Sequence, residues 1–478
     1  MSDFVVVANR LPVAPTTEPD GSTTWEASPG GLVTALTPVL LENEGAWVGW
    51  AGTREGDDAP PEEIVTDNGL HLYPVELSEY DYENFYEGFS NGTLWPLHHS
   101  LIVPPKYDTE WWESFREVNH RYAIEAANQA SEGAIVWVQD YQLMLVPGIL
   151  RQLRPDVTIG FFLHIPFPPP EIFRQIPWRE ELVRGLLGSD LIGFHLDSFA
   201  NNFLELCANV SGSGLPHTGL PAKLKVEGRS SVRVATATVT APDGRPVRVA
   251  SFPISIDSPS VMKMAEGANP EQIREDLGNP KHMLLGVDRL DYTKGIHERL
   301  EAFEELLESG AIDPAETVLV QVATPSRERV DDYRRMRIKV EQTVGRINGL
   351  YGSLGKPVIH YLHRNLPFQT LIDLYTAADV MVVTPLRDGM NLVAKEYVAC
   401  HADYRGALVL SEFTGAADEL DGAFLCNPHD IESVKRAIMA ATNGSKDDLQ
   451  DRMKKMYEQV RDHDVHLWAD SFLSELRR

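Results

Sequence analysis

The chain reads as an α/β fold built on parallel sheets. Short apolar runs without polar alternation recur along its length, as strands covered on both faces require. Amphipathic stretches at helical spacing lie between them, the alternation that marks layered α/β proteins. There are too many such runs in 478 residues for one sheet, so two domains are expected.

The strands are expected at residues 4–8, 135–138, 158–163 and 191–194, then at 283–287, 317–322, 358–362, 380–383 and 407–410. In YQLMLVPGILRQL, Leu143, Val146, Ile149, Leu150 and Leu153 recur at helical spacing around Pro147. In HERLEAFEELLESG, Leu300, Phe303, Leu306 and Leu307 form an apolar face, and Gly310 is placed to end the helix. FPISIDSPS, residues 252–260, is an extended segment punctuated by Pro253 and Pro259, and it marks the boundary between domains. Before it, residues 208–250 are rich in Gly, Pro and β-branched residues, with a PDGRP turn at 242–246, which predicts a β-hairpin insertion. The closing HLWADSFLSEL is amphipathic, and its Trp468, Phe472 and Leu476 need an apolar surface, which the first domain can supply.

Composition narrows the function. A hydrophobic content of 43% with 24% charged residues is that of a soluble globular protein. No run approaches the ~20 apolar residues that span a bilayer. The start, MSDFVVVANRLP, lacks a basic region and reads as a first strand and not a signal peptide. Cys207, Cys400 and Cys426 are far apart and match no metal or disulfide spacing, so a cytoplasmic location is expected. The net charge of −27 disfavours a nucleic-acid partner. An acidic chain that binds phosphate must gather its cations locally, so Arg and Lys beside loop glycines carry the most weight.

LRDGMNLVAKE, residues 386–396, is the most informative stretch. It follows the run at 380–383 and opens a helix near Asn391. The free N–H groups of Leu392 and Val393 then lie at the helix's positive end, where phosphate binds. Asp388 and Glu396 suit hydrogen bonds from sugar hydroxyls. One loop would hold a nucleotide sugar, with diphosphate on amides and sugars on carboxylates. An ordinary strand–loop–helix connection fits the same letters, so the other motifs decide.

ANRLP puts Arg10 at a strand's C-terminal end, where ligands of open α/β sheets bind. Gly30 and Gly31, in ASPGGLVTAL, would let backbone approach a ligand; read alone, the pair favours a plain turn. MLLGV runs into DRLDYTKG, where Arg289 and Lys294 could neutralise a diphosphate, one as a planar fork and the other as a point charge. VATPSR sets Arg327 beyond another strand end. WVQDYQL and FFLHIPFPPPEIF place Asp140 and His164 after successive strands, either as a catalytic pair or as an acid and a loop-capping histidine. In FYEGFSNGTLWPLHH, Tyr86 and Trp95 could cover a sugar face or pack in the core.

ANR, PGGL, FYEGFSNGTLWP, WVQDYQL, GFFLHIPFPPPEIF, DRLDYTKG, GRINGLYG and TPLRDGMNLVAKEY occur in this order across nearly the whole chain. In that combination the sequence closely resembles the trehalose-6-phosphate synthases, retaining glycosyltransferases of the GT-B architecture, with two Rossmann-like domains facing a cleft. The resemblance implies glucosyl transfer from a nucleotide-diphosphate glucose, UDP-glucose in most members, to glucose 6-phosphate, giving α,α-trehalose 6-phosphate. Residues 1–252 would be the acceptor domain, with the C-terminal helix at about 456–478 packing back on it, and residues 253–455 the nucleotide-sugar domain. Arg10 and Arg327 would grip the acceptor phosphate with Tyr86, Trp95 would shape the pocket, and Asp140 would hold acceptor hydroxyls. Gly30 and Gly31 would approach the donor, and His164 would contact the donor glucose. Arg289 and Lys294 would bind the leaving diphosphate and Asp388 the glucose. Leu392 and Val393 would meet the diphosphate, with Ala394 and Lys395 in the same donor-binding stretch, and Glu396 would take the ribose. Leu366 falls where a backbone contact to the base is expected, in a position where a family member carries an aromatic residue, so the base preference stays open. A homo-oligomer, dimer or tetramer, is implied. No DxD-like motif stands in the usual position, so neither a catalytic metal nor a cofactor is expected. Two alternatives fit part of the pattern: a related pseudo-glycosyltransferase joining cyclitols, and a non-catalytic regulatory homologue.

Overall fold

The computed structural model of the chain describes residues 1–17, 23–27, 31–53, 60–208, 226–227 and 237–478. They divide into two compact units, Met1–Ile254 with His466–Arg478, and Ser255–Val465. The division falls at 254/255, against an expected 252/253. The returning segment starts at His466 and not near 456, because residues up to Asp462 continue the helix Lys446–Asp462, which buries Met453, Met456 and Val460 within the second unit.

In the first unit, a sheet runs in the order Val226–Glu227, Ala237–Thr240, Pro246–Ser251, Leu191–Phe194, Thr158–Phe162, Ala130–Gln139, Ser2–Arg10, Ala46–Trp50, His71–Pro74, Ile64–Val65. Pairings from Pro246–Ser251 through His71–Pro74 are parallel. Val5, Val6 and Val7 are wholly buried on successive positions, which is why this strand shows no polar alternation. The chain starts at Ser2–Arg10 in the sheet's middle, builds outward to one side, and returns to build the other side from Ala130–Gln139. The switch point therefore lies between Ser2–Arg10 and Ala130–Gln139.

The second unit has a parallel sheet ordered Ile359–Leu362, Thr317–Thr324, His282–Arg289, Val380–Val383, Ala407–Ser411, Phe424–Cys426. Numbered along the chain this is 3-2-1-4-5-6, the dinucleotide-binding order. Its switch point lies between His282–Arg289 and Val380–Val383. Leu284, Leu300, Phe303, Leu319, Val382 and Val409 belong to one apolar core beside the sheet.

Local chemistry explains the departures from expectation. The stretch around Pro147 is not one helix: a 3-10 turn, Tyr141–Leu143, precedes the helix Val146–Leu153, whose first turn holds Pro147. Proline has no N–H to donate and fits only there. Ala46–Trp50, His71–Pro74 and Phe424–Cys426 are strands with weak apolar signals. Of the segment 208–250, residues 209–225 and 228–236 lie outside the described residues. Its latter part is the expected hairpin, with Ala237–Thr240 antiparallel to Pro246–Ser251 and Gly244 at φ 87° in the turn. The helix Val465–Leu476 covers the first sheet: Phe472 stacks on Trp137 at 4.6 Å, and Trp468 lies 5.1 Å from both Trp137 and Phe162. Gly160 and Gly193 make room for it, since a Cβ at either would sit 2.8 Å from the Phe472 ring.

Candidate active site

Arg10 and Asp140 follow the strands that flank the first switch point, and Arg289, Lys294 and Asp388 those that flank the second. In the first unit, Arg10 ends its strand with its guanidinium 4.7 Å from the Trp50 ring centre. Gly52, at φ 87°, admits it, because a Cβ there would lie 2.4 Å from the guanidinium. A ladder of rings leads on: Trp50 to Tyr82 at 5.4 Å, and Tyr82 to Tyr86 at 5.2 Å. Tyr86 belongs to a π-helix, Tyr82–Leu94, a rare form that clusters at functional sites. Asn91 donates to the Tyr86 carbonyl at 2.8 Å and accepts from the Tyr141 hydroxyl at 2.7 Å. Trp95 is buried, 4.1 Å from the His99 ring and 5.7 Å from Tyr141.

Asp140 and His164 do meet, but not as an acid–imidazole pair. The Asp140 carboxylate accepts from the backbone N–H of His164 at 3.1 Å. The ring instead places Nε2 2.9 Å from the side-chain oxygen of Gln139. His195 Nε2 lies 3.2 Å from the His164 carbonyl. Burial, and secondarily His195, hold the His164 ring well below its ordinary pKa. The imidazole is therefore neutral, a hydrogen-bonding group more than a proton carrier. Asp140 has φ 73° and ψ 170°, an extended positive-φ conformation almost confined to glycine and met at functional sites. Gly30 lies outside the described residues, and Gly31 opens the helix Gly31–Glu42.

In the second unit, Arg289 ends its strand and is exposed. Lys294 closes the turn Tyr292–Lys294, and Gly295 follows at φ 60°. A Cβ on Gly295 would lie 1.9 Å from the Thr384 carbonyl, so glycine lets this turn press against the neighbouring strand end. Lys294 pairs with Asp388 at 2.6 Å. Asp388 also accepts from the Gly389 N–H at 2.9 Å and from Asn391 at 3.1 Å. Asn391 caps the helix Leu392–Ala399 through the Ala394 amide at 3.0 Å.

That cap engages part of the expected donor stretch. Ala394 has its amide engaged by Asn391, and Lys395 spends its ammonium on Glu419 at 2.6 Å in a buried pair. Among the described residues, the amides of Leu392 and Val393 at this N-terminus have no hydrogen-bond partner. Glu396 accepts from the Tyr375 hydroxyl at 2.9 Å; burial raises its pKa while that bond opposes the rise. Leu366 lies half-buried between Ile359–Leu362 and Phe368–Ala377.

Arg327 is buried at φ 48°, 3.4 Å from Asp291 and bonded to the Tyr333 hydroxyl. Sequence reasoning missed Asp291, although it stands inside DRLDYTKG. Burial pushes this wholly enclosed carboxyl up, but Arg327, Arg289, the Thr293 N–H and Lys294 prevail and hold it below the ordinary range. Three of the predicted phosphate cations thus share one buried counter-charge. Gln139, Tyr333 and Tyr375 were missed as well, because a buried polar residue in an apolar run gives no pattern. Asn391 did carry a signal, as an N-cap residue before a helix.

The two parallel-sheet units, with the solved structures they match, place the chain in the GT-B class of glycosyltransferases. The chain belongs to glycosyltransferase family 20, whose family model matches residues 2–478. It is 56% identical over 482 residues to a protein of Mycolicibacterium gilvum named trehalose-6-phosphate synthase, covering 99% of this chain and 93% of that one. It is likewise 56% identical over 479 residues to the protein of that name from Mycolicibacterium smegmatis, covering 99% and 92%. Among solved structures, an α,α-trehalose-phosphate synthase (UDP-forming) from Burkholderia xenovorans in complex with glucose 6-phosphate matches with a TM-score of 0.87 at 33% identity, covering 99% of this chain and 100% of that one. An E. coli structure bound with UDP-2-fluoro glucose matches with a TM-score of 0.87 at 33% identity, covering 99% of each chain.

Proposed function

We propose that this chain transfers glucose, with retention, from UDP-glucose to glucose 6-phosphate, giving α,α-trehalose 6-phosphate and UDP. The observation that carries the reading is the arrangement at the second unit's switch point. Lys294, Asp388 and the amides of Leu392 and Val393 supply cation, sugar-binding carboxylate and helix-end donors within one constellation. The names and bound molecules of the relatives support the substrates.

Breaking a glucosyl–phosphate bond builds negative charge on the leaving diphosphate. Arg289, Lys294 and the two helix-end amides stabilise that charge as it develops. Asp388 orients the glucose and Glu396, aimed by Tyr375, takes the ribose. Leu366 meets the base. Arg10, Tyr86 and Arg327 bind the acceptor's phosphate, Trp95 shapes the pocket, and Asp140 holds the acceptor's hydroxyls. Neutral His164 contacts the donor glucose. The first unit is thus the acceptor unit and the second the nucleotide-sugar unit. Among the described residues no helix is long and apolar enough to cross a membrane. The family resemblance supports a cytoplasmic dimer or tetramer.

Initial rates with UDP-, ADP- and GDP-glucose at fixed glucose 6-phosphate test the reading, with the product's anomeric configuration read by NMR. The expected result is α,α-trehalose 6-phosphate, formed fastest from UDP-glucose. No disaccharide phosphate from any donor would overturn it.

A further inference from the structure

We propose that Gln139 is a positioning residue for this transfer: it holds His164 in the tautomer with its proton on Nε2, leaving Nδ1 as an acceptor for a sugar hydroxyl. The proposal rests on the reading of His164 as a donor-glucose contact.

Gln139 is the last residue of the strand Ala130–Gln139 and is wholly buried. It pairs in register with Phe162, two residues before His164. A buried amide is costly unless it is bonded, and an aliphatic side chain of similar volume would fill the strand tip more cheaply. Among the described residues, the side-chain bond it makes is from its oxygen to His164 Nε2, at 2.9 Å. Its amide nitrogen is buried without a partner. The position tolerates an orphaned donor and keeps the oxygen on the ring.

The rest of His164 is already fixed. Its N–H donates to Asp140, and its carbonyl accepts from His195 Nε2. The ring lies 4.8 Å from Phe162, 5.5 Å from His195 and 6.0 Å from Trp468. What remains open is which nitrogen carries the proton. An amide oxygen can only accept, so Nε2 must donate, and a neutral imidazole has one N–H to give. Nδ1 then holds the lone pair. It has no protein partner among the described residues, and the ring is only partly buried.

The tautomer selects ligand chemistry. A lone pair at Nδ1 accepts from a hydroxyl, which a sugar offers. An N–H at Nδ1 would seek an acceptor such as a phosphate oxygen. Gln139 thereby commits His164 to the glucose and not to the diphosphate.

The test uses the full chain with 15N-labelled histidine, His164 being assigned by its loss in His164→Gln. At neutral pH the wild type should show a protonated Nε2 and an unprotonated Nδ1. Gln139→Leu should mix the tautomers and lower donor kcat/KM about tenfold, the loss of one hydrogen bond to a reacting-site group, while UDP affinity and the melting curve hold. Gln139→Glu, an acceptor that carries charge, should keep the wild-type tautomer and rescue activity at alkaline pH. It should also move the acidic limb of the rate profile upward, because the ring, faced otherwise by His195 and Asp140, gains a second anion. A proton on Nδ1 in the wild type would overturn the proposal, as would a Gln139→Leu variant with unchanged tautomer or unchanged donor kcat/KM. If the wild type shows the expected tautomer but makes no trehalose 6-phosphate, the functional reading fails and the Gln139–His164 relation stands.

Discussion

Lys294 and Asp388, 94 positions apart in the chain, form an ion pair at 2.6 Å with each side chain 13% exposed. Sequence reasoning gave them separate duties, one on the diphosphate and one on the glucose. Their pairing means that each sets the charge and orientation of the other.

Lys294→Met and Asp388→Asn should each lower donor kcat/KM by about 10- to 100-fold, the loss of a charge-assisted contact. The double variant should cost less than the sum, by about 0.5–3 kcal/mol, because either single change already breaks the pair. Steady-state rates across the four proteins give the coupling directly. Strict additivity would show that the pair does not act as a unit in the reaction.

Gly286→Ala should cost about 3–5 kcal/mol of stability. A Cβ at Gly286 would lie 2.1 Å from Arg299 Nη1 and 2.6 Å from the Gln321 side-chain oxygen. Arg299 is 1% exposed and bonds Asp288 at 2.7 Å, Gln321 at 2.8 Å and Thr384 at 3.2 Å. Thr384 in turn donates to the Gly295 carbonyl at 3.0 Å. One buried guanidinium thus ties together the strand ends that carry Arg289 and Asp388 and the turn that carries Lys294. Displacing it strands the Asp288 carboxylate in the interior. Urea unfolding of the variant measures the loss, and a change under about 1 kcal/mol would show that the network repacks.

Stability should fall on acidification between pH 6.5 and about 4, partly through His98. This ring is wholly buried, donates from Nδ1 to the Pro166 carbonyl at 2.8 Å, and is pushed by burial from 6.5 to about 4. Its folded pKa is depressed, so the unfolded chain takes up a proton that the fold refuses. The stabilisation is complete above the unfolded pKa and is lost as pH falls toward the folded one. A displacement of this size is worth about 3 kcal/mol. His164 and His401 are shifted in the same direction, so the measurement is a difference. Melts of wild type and His98→Gln over this window should show a shallower pH slope in the variant. Parallel slopes would remove His98 from the account.

Phe472→Ala should cost about 3–5 kcal/mol, the usual range for emptying a large aromatic site. Phe472 is wholly buried, stacked on Trp137 and edge-on to Phe252 at 5.2 Å, and two glycines on adjacent strands are matched to its ring. A calorimetric melt that moved by less than a degree would show that the C-terminal helix adds little to the first unit.

What sequence revealed and what it hid divide on physical grounds. Buried parallel strands announce themselves, and residues 191–194 and 380–383 were read to the residue. Strand ends are also visible, which is why Arg10, Asp140, Arg289 and Asp388 could be placed at or just beyond them from the letters alone. Ala46–Trp50 was not seen, since two Trp and a Gly in five residues carry no run of Val or Ile. Partners across space were hidden altogether. Nothing in the letters shows that Asp140 takes a backbone N–H while Gln139 takes the ring, or that Asp291 sits under Arg327. Such relations depend on which strands become neighbours, and register fixes them only after folding.

Arg327 is expected to set the preference for a phosphorylated acceptor, and its removal should have two separable effects. The first is on recognition. Losing one charge-assisted contact of about 1.5–3 kcal/mol should lower kcat/KM for glucose 6-phosphate about 10- to 100-fold. The rate with free glucose should hardly change, because the lost energy belongs to the phosphate alone. The second effect is on stability. Arg327 lies 3.4 Å from Asp291, which is wholly enclosed and held below its ordinary 3.8 against burial, chiefly by Arg327. In the wild type this depressed pKa adds stability above the unfolded value, lost as pH falls through the folded one. In Arg327→Ala burial should dominate and raise the Asp291 pKa, so that its contribution reverses sign and the variant recovers stability on mild acidification. Arg327→Ala with Asp291→Asn removes the stranded charge and isolates recognition from folding. In that double variant the ratio of kcat/KM for glucose 6-phosphate over glucose should still collapse, with UDP affinity by calorimetry near that of wild type. A wild-type acceptor ratio in the double variant would place the phosphate site elsewhere.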